Sequence, residues 1–140
     1  MIDYESCCVF GKKYPRAEKQ KSADYTADME KTVLTSGLKI CEYVKIENGS
    51  LVCFVYGHID KFKNEKDYHY NLYRLDPDGE VSFLSAGTRG GIETLYVEDN
   101  FAYWDDFGKQ YRVSIFNGLA EKYNEDNGWE PWDFETGTSM

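Results

Sequence analysis

The sequence predicts a mainly β protein: an antiparallel meander of about seven strands, forming a sandwich or partial barrel from propeller-blade-like hairpins, with one short N-terminal helix. Three observations carry this. Short apolar and aromatic runs recur between turn signals such as Asn48-Gly49 and Asp76-Pro77-Asp78-Gly79. The 140 residues include 12 Tyr and 8 Phe and are 41% hydrophobic, too rich in large apolar side chains for a disordered chain. The length suits one domain with one core.

Along the chain, residues 1–21 read as a basic, loosely ordered arm, with Gly11, Pro15 and little periodicity. Residues 22–37 read as a short helix, capped by Ser22 or Asp24 and stopped at Ser36-Gly37, where glycine takes the left-handed conformation. Residues 38–116 are the antiparallel core. Residues 38–46 and 51–56 flank Asn48-Gly49, the strongest short signal for a two-residue type I′ loop. That loop would set Val44 opposite Cys53 and Ile46 opposite Leu51, with Ile40, Val44, Ile46, Leu51, Cys53 and Val55 on one face and Cys41, Tyr43, Phe54 and Tyr56 on the other. Neither face is polar, so the hairpin is expected between two other layers.

After a lysine-rich connection at 57–67, residues 68–75 and 80–85 flank Asp76-Pro77-Asp78-Gly79, which suits a type I turn with a glycine bulge. Three further strands are expected at 94–99, 101–105 and 110–116. Residues 119–123 are read as one helical turn, and 117–140 as an extended acidic-aromatic tail.

The two halves echo each other. Glu42-Tyr43-Val44 followed by Tyr73-Arg74-Leu75 is answered by Leu95-Tyr96-Val97 followed by Tyr111-Arg112-Val113. In character these segments, above all Leu72-Tyr73-Arg74-Leu75-Asp76-Pro77-Asp78-Gly79-Glu80-Val81, resemble the blade strands of β-propellers such as the kelch-like or NHL-like repeats. A propeller needs roughly four to eight blades, so two could not close a ring. The resemblance covers residues 40–116 and brings no site with it.

Charge is the most informative feature of composition. The net charge is −9. Residues 1–39 carry seven Lys/Arg against six acids, whereas residues 98–140 carry ten acids against Lys109, Arg112 and Lys122. Such a surface repels nucleic acid and anionic lipid and attracts basic surfaces, so the expected partner is a basic protein, with neither direct nucleic-acid contact nor membrane. The acids in residues 1–5 stand where a secretory leader is basic and then apolar, so a cytoplasmic location is expected. Cys7, Cys8, Cys41 and Cys53 are then expected as free thiols; adjacent Cys7-Cys8 is also a poor start for a zinc site.

Few residue sets suggest chemistry. His58 and Asp60, with Asp67 and His69, bracket one connection and could converge on a metal or a proton, with Arg89 as a further candidate for an enzyme or carrier; the bland reading is a solvated loop. Neither a nucleophile elbow nor a phosphate loop is present, so no catalytic residue and no cofactor is assigned. What remains is the pairing of tryptophans with acids: Trp104, Asp105 and Asp106, then Trp129, Glu130, Trp132, Asp133 and Glu135. Indoles supply large apolar anchors, and carboxylates meet arginine or lysine and accelerate encounter; the compatible and weightier reading is that Trp104 is core and the tail folds back over an open sheet edge. The expectation is an acidic, non-enzymatic binding protein that neutralises a basic, possibly nucleic-acid-binding, partner, in the manner of an immunity protein or a phage counter-defence inhibitor. The alternatives are a small β-fold enzyme or metal binder using the histidines, and a structural subunit of a self-assembling β oligomer.

Overall fold

The computed structural model describes residues 22–56 and 70–134, together with the backbone of three two-residue strands near the ends. The first two of these, β1 (Cys8–Val9) and β2 (Lys12–Lys13), pair antiparallel. The rest of the expected N-terminal arm, the 57–67 connection, His58, Asp60, His69 and Glu135 lie outside the described residues.

Helix α1 (Ala27–Ser36) starts later than the sequence suggested. Its cap is Thr26, whose Oγ1 accepts the Met29 amide at 3.1 Å. The expected caps work elsewhere: the Tyr43 hydroxyl lies 2.6 Å from Ser22 Oγ and donates to Asp24 at 2.7 Å. The helix stops at Gly37 with φ 73°, as its sequence requires. Met29 and Val33, one turn apart, are its buried stripe.

Four strands follow in one antiparallel meander: β3 (Ile40–Lys45), β4 (Leu51–Tyr56), β5 (Tyr70–Leu75) and β6 (Val81–Thr88). After a 3-10 turn at Ile92–Thr94 come β7 (Tyr96–Glu98), β8 (Phe101–Asp106), β9 (Lys109–Ser114), β10 (Ala120–Asn124) and β11 (Gly128–Asp133), with the two-residue β12 (Thr138–Ser139) at the far edge. Among the described residues the fold is therefore mainly β, built from two open antiparallel sheets, the short β1–β2 ribbon and a helix; the expected seven strands become nine, four in one meander and five in the next, before β12 and the ribbon are added. The expected tail and its helical turn are instead the β10–β11 hairpin. Asn124 closes it, its side chain accepting the amides of Asp126 and Asn127 at 2.8 and 3.2 Å, and Gly128 supplies φ 76°.

The first hairpin differs from its expected register by one residue. Lys45 pairs with Leu51, Val44 with Val52 and Tyr43 with Cys53. The loop has three residues: Gly49 donates to the Ile46 carbonyl, Ile46 to the Ser50 carbonyl, and Gly49 sits at φ 89° as a bulge. Asp76 to Glu80 repeats this geometry around Gly79, also at φ 89°. Type I′ geometry occurs at Asp99-Asn100 (φ 52° and 69°) and Phe107-Gly108 (φ 53° and 81°), the tight loops on either side of β8.

The corrected register moves Val44 and Ile46 to the face that carries Val52 and Phe54. Both faces of the first sheet are buried. Ile40, Leu51, Cys53, Val55, Tyr73 and Leu75 pack under Met29, Val33 and Leu38, while Val52, Phe54, Tyr70 and Leu72 pack against Ala102, Trp104, Tyr111 and Val113 of the second sheet. The order is helix, sheet, sheet.

The second sheet lies on the first in the same orientation. Arg74, near the end of β5, donates to the Ile115 carbonyl just past the end of β9 at 2.5 Å. Gly91, just past β6, sits so close to the Asp105 carbonyl near the end of β8 that a Cβ there would lie 1.7 Å from it. Corresponding strands thus end at corresponding heights, β6 lies against β9, and the 3-10 turn before β7 lies against β3. The echo in the sequence follows this plan: Tyr43 and Tyr96 lie on first strands, Tyr73 and Tyr111 on third strands.

Cys53 is a free, buried thiol, as expected. Cys41 corrects the expectation: it is disulfide-bonded, to a partner outside the described side chains. Among the described residues, no helix is long and apolar enough to cross a membrane.

Candidate functional site

Strand alternation decides which residues the second sheet offers outward. The inner face holds Ala102, Trp104, Tyr111 and Val113 in the core. The outer face takes the other parity: Tyr96 and Glu98 from β7, Phe101, Tyr103 and Asp105 from β8, Gln110, Arg112 and Ser114 from β9, Glu121 and Tyr123 from β10, and Trp129, Pro131 and Asp133 from β11. One cross-strand row runs Tyr96, Tyr103, Arg112, Glu121, Pro131.

These residues form an aromatic surface around one guanidinium. Tyr96 and Tyr103 stack in parallel, 4.8 Å between centroids and 6° between planes. The Arg112 guanidinium lies 4.2 Å from the Phe101 ring centre, 4.5 Å from that of Trp129 and 6.0 Å from that of Tyr103. Its Nε donates to Glu121 at 2.6 Å and its Nη1 to the Tyr103 hydroxyl at 3.4 Å. Partial burial lowers the affinity of Arg112 for its proton, but these hydrogen bonds and the Glu121 charge outweigh it, leaving the pKa above the usual arginine value. Trp129 meets Tyr123 edge-on at 5.4 Å. The rings remain partly open to solvent, Tyr96 at 50% and Tyr123 at 42% exposure.

Charge on this face is negative. Glu98, Asp105, Glu121 and Asp133 share it, and among the described residues Arg112 is the one cation of the same parity, already paired with Glu121. Desolvation, then the neighbouring Tyr103 and Glu98, raise the Tyr96 phenol pKa.

The residues singled out from sequence divide between the two faces. Asp105, Trp129 and Asp133 lie on the outer one. Trp104 is a core residue, 2% exposed, stacked on Tyr111 and Phe134 at 5.8 and 5.9 Å and edge-on to Phe54 at 5.5 Å. Asp106 and Trp132 take the inner side; Asp106 raises the Tyr111 phenol pKa, after burial, and Lys122 caps the Trp132 ring at 4.3 Å. Glu130 lines a small hollow with Lys122, Tyr123, Asn124 and Trp132. Reading residues 117–140 as a tail removed the alternation that separates Trp129 from Trp132. Tyr123 was missed for the same reason; Tyr96, Phe101 and Tyr103 fall on expected strands, and Tyr96-x-Glu98 and Phe101-x-Tyr103-x-Asp105 carry the period of two, but which parity faces outward shows only in the packing of the two sheets.

Among the described residues no three His, Cys, Asp or Glu side chains are grouped to hold a metal ion. Set against protein-family models, curated proteins and solved structures, the chain matches none.

Proposed function

We propose that this chain is a non-enzymatic binding protein that docks a basic protein partner on the open face of its second sheet. The observation that carries the reading is the coincidence, on one face, of half-exposed rings with carboxylates whose one cation is internally paired. Rings anchor through area and stacking; carboxylates select a cationic surface and reject nucleic acid and anionic lipid.

The stacking of the layers supports the same face. Because the second sheet repeats the orientation of the first, its outer surface corresponds to the first sheet's buried inter-sheet surface. A further layer laid there would continue the stack, as neighbouring blades do in propellers. We take that layer to come from the partner, whose basic surface would otherwise meet nucleic acid, so that docking inhibits it as an immunity protein or counter-defence inhibitor would. Nothing in the docking chemistry requires the reducing cytoplasm expected from sequence, and the disulfide at Cys41 also fits an oxidising compartment.

The test compares three baits in capture from lysate: the parent chain, a Tyr96→Ala/Trp129→Ala variant, and a Lys122→Ala control on the inner side. A basic protein retained by parent and control, lost by the double variant, and released as salt rises supports the reading. Equal capture by parent and double variant at low salt would falsify it.

A further inference from the structure

We infer that the Tyr96–Glu98 edge of this face is an arginine slot, which takes a guanidinium of the partner stacked on the outer side of the Tyr96 ring. The inference rests on the proposed docking role and adds the chemistry of its anchor. Its first ground is the row of side chains that crosses the sheet. Read inward from the edge, the row runs Tyr96, Tyr103, Arg112, Glu121, with ring on ring at 4.8 Å and the guanidinium beyond. Among the described residues no strand lies outside β7, so the other side of the Tyr96 ring is the open end of this row. A second planar cation there would make the arrangement cation, ring, ring, cation.

The second ground is what the same face already does with a guanidinium. Arg112 is held by two rings at 4.2 and 4.5 Å and by a carboxylate at 2.6 Å. Tyr96 offers the equivalent pair of groups. Its ring is half exposed, and Glu98, two residues along the same strand, is exposed and makes no ion pair or side-chain hydrogen bond among the described residues. By contrast Asp105, which flanks Tyr103 in the same way, spends one oxygen on the Gly108 amide at 2.9 Å. Glu98 is therefore the carboxylate left for an incoming charge.

Geometry then favours arginine over lysine. A guanidinium is flat, weakly hydrated and able to lie on a ring while its edge donates to a carboxylate. An ammonium is a compact, strongly hydrated point charge; it would gain attraction from Glu98 but would lose more water to reach the ring.

The experiment titrates the full chain with two probe peptides of equal length and charge, one with arginine and one with lysine as its only cation, using calorimetry. The parent should bind the arginine peptide about fivefold more tightly. In Tyr96→Leu the preference should fall to about one, in Tyr96→Phe it should persist, and in Glu98→Gln both peptides should weaken. Circular dichroism melts of each variant show whether it is folded, and Tyr96→Thr, which also removes the ring, replaces Tyr96→Leu with the same expected loss if that variant is not. Equal binding of both peptides by the parent, or a preference that survives Tyr96→Leu, overturns the arginine slot and leaves the docking face standing. Binding of neither peptide at low salt overturns the docking face as well.

Discussion

The two sheets carry an arginine at the corresponding place on their third strands, and what surrounds each shows how differently they are used. Arg74 lies between the layers, its Nε on Asp76 at 3.0 Å and its Nη1 on the Ile115 carbonyl, while Asp76 also accepts from Ser50 at 2.7 Å. The Arg74 guanidinium thus donates to protein oxygens of both layers, although its side chain is 20% exposed, as much as that of Arg112. Arg112 lies on the open face, with one carboxylate and otherwise aromatic rings around it. Side chains with little exposure, 20% for Arg112 and 26% for Glu121, hold that pair in place at the surface. The first sheet spends its side chains on two interiors; the second spends one face on the interior and keeps the other as a structured surface.

The comparison breaks most readily at Trp104, the residue that joins the sheets. Trp104→Ala removes a fully buried indole stacked on Tyr111 and Phe134 and should cost about 3–5 kcal/mol in chemical denaturation. A loss below about 1 kcal/mol would mean that the sheets do not close on each other as described. Next comes Gly91, at φ 69° and pressed against the Asp105 carbonyl. Gly91→Ala must displace backbone and should cost on the order of 2–3 kcal/mol, whereas the same change at Gly108, which has open space at its Cβ, should cost only about 1 kcal/mol for its positive φ.

The doubly buried sheet also predicts a weakness in base. Burial pushes the Cys53 thiol from 9.0 up to about 12. Between those values the folded chain keeps a proton that an unfolded chain has lost, so the stability is complete below the ordinary thiol pKa and falls as pH rises through that window. The raised phenols of Tyr25, Tyr43 and Tyr111 act in the same direction, each through burial first. Melting temperature should therefore drop above pH 9, and less steeply in Cys53→Ala than in the parent; identical slopes would remove Cys53 from the account.

Much of the fold was legible because it is local. Asp76-Pro77-Asp78-Gly79 specified its bulged turn, Ser36-Gly37 ended the helix, and the unbroken apolarity of Leu51 to Val55 pointed to cover on both faces. Register was not legible at Asn48-Gly49. Two turn types accept the same dipeptide there, and Ser50, fixed by Asp76 from the next hairpin, closes the three-residue loop Glu47-Asn48-Gly49. Type I′ turns at Asp99-Asn100 and Phe107-Gly108 carry weaker signals, and a phenylalanine at φ 53° is one that propensity would not choose. The site was half legible. Acids and indoles near the carboxy end were evident, but the division between inner and outer depends on a period of two that shows only after the strands are placed.

The smallest expected effect is the one that separates surface from scaffold. Trp129 is partly exposed and touches Arg112, Tyr103 and Tyr123, all on the open face. Trp129→Ala should therefore cost about 1 kcal/mol of stability or less, the scale of an exposed cation–π contact and its ring neighbours, far below Trp104→Ala. Tyr96→Ala at the sheet edge should cost less again. Paired denaturation curves read both, with the two tryptophan substitutions serving as each other's control for loss of an indole. A loss at Trp129 as large as that at Trp104 would make the outer rings a third interior layer and deny them to a partner.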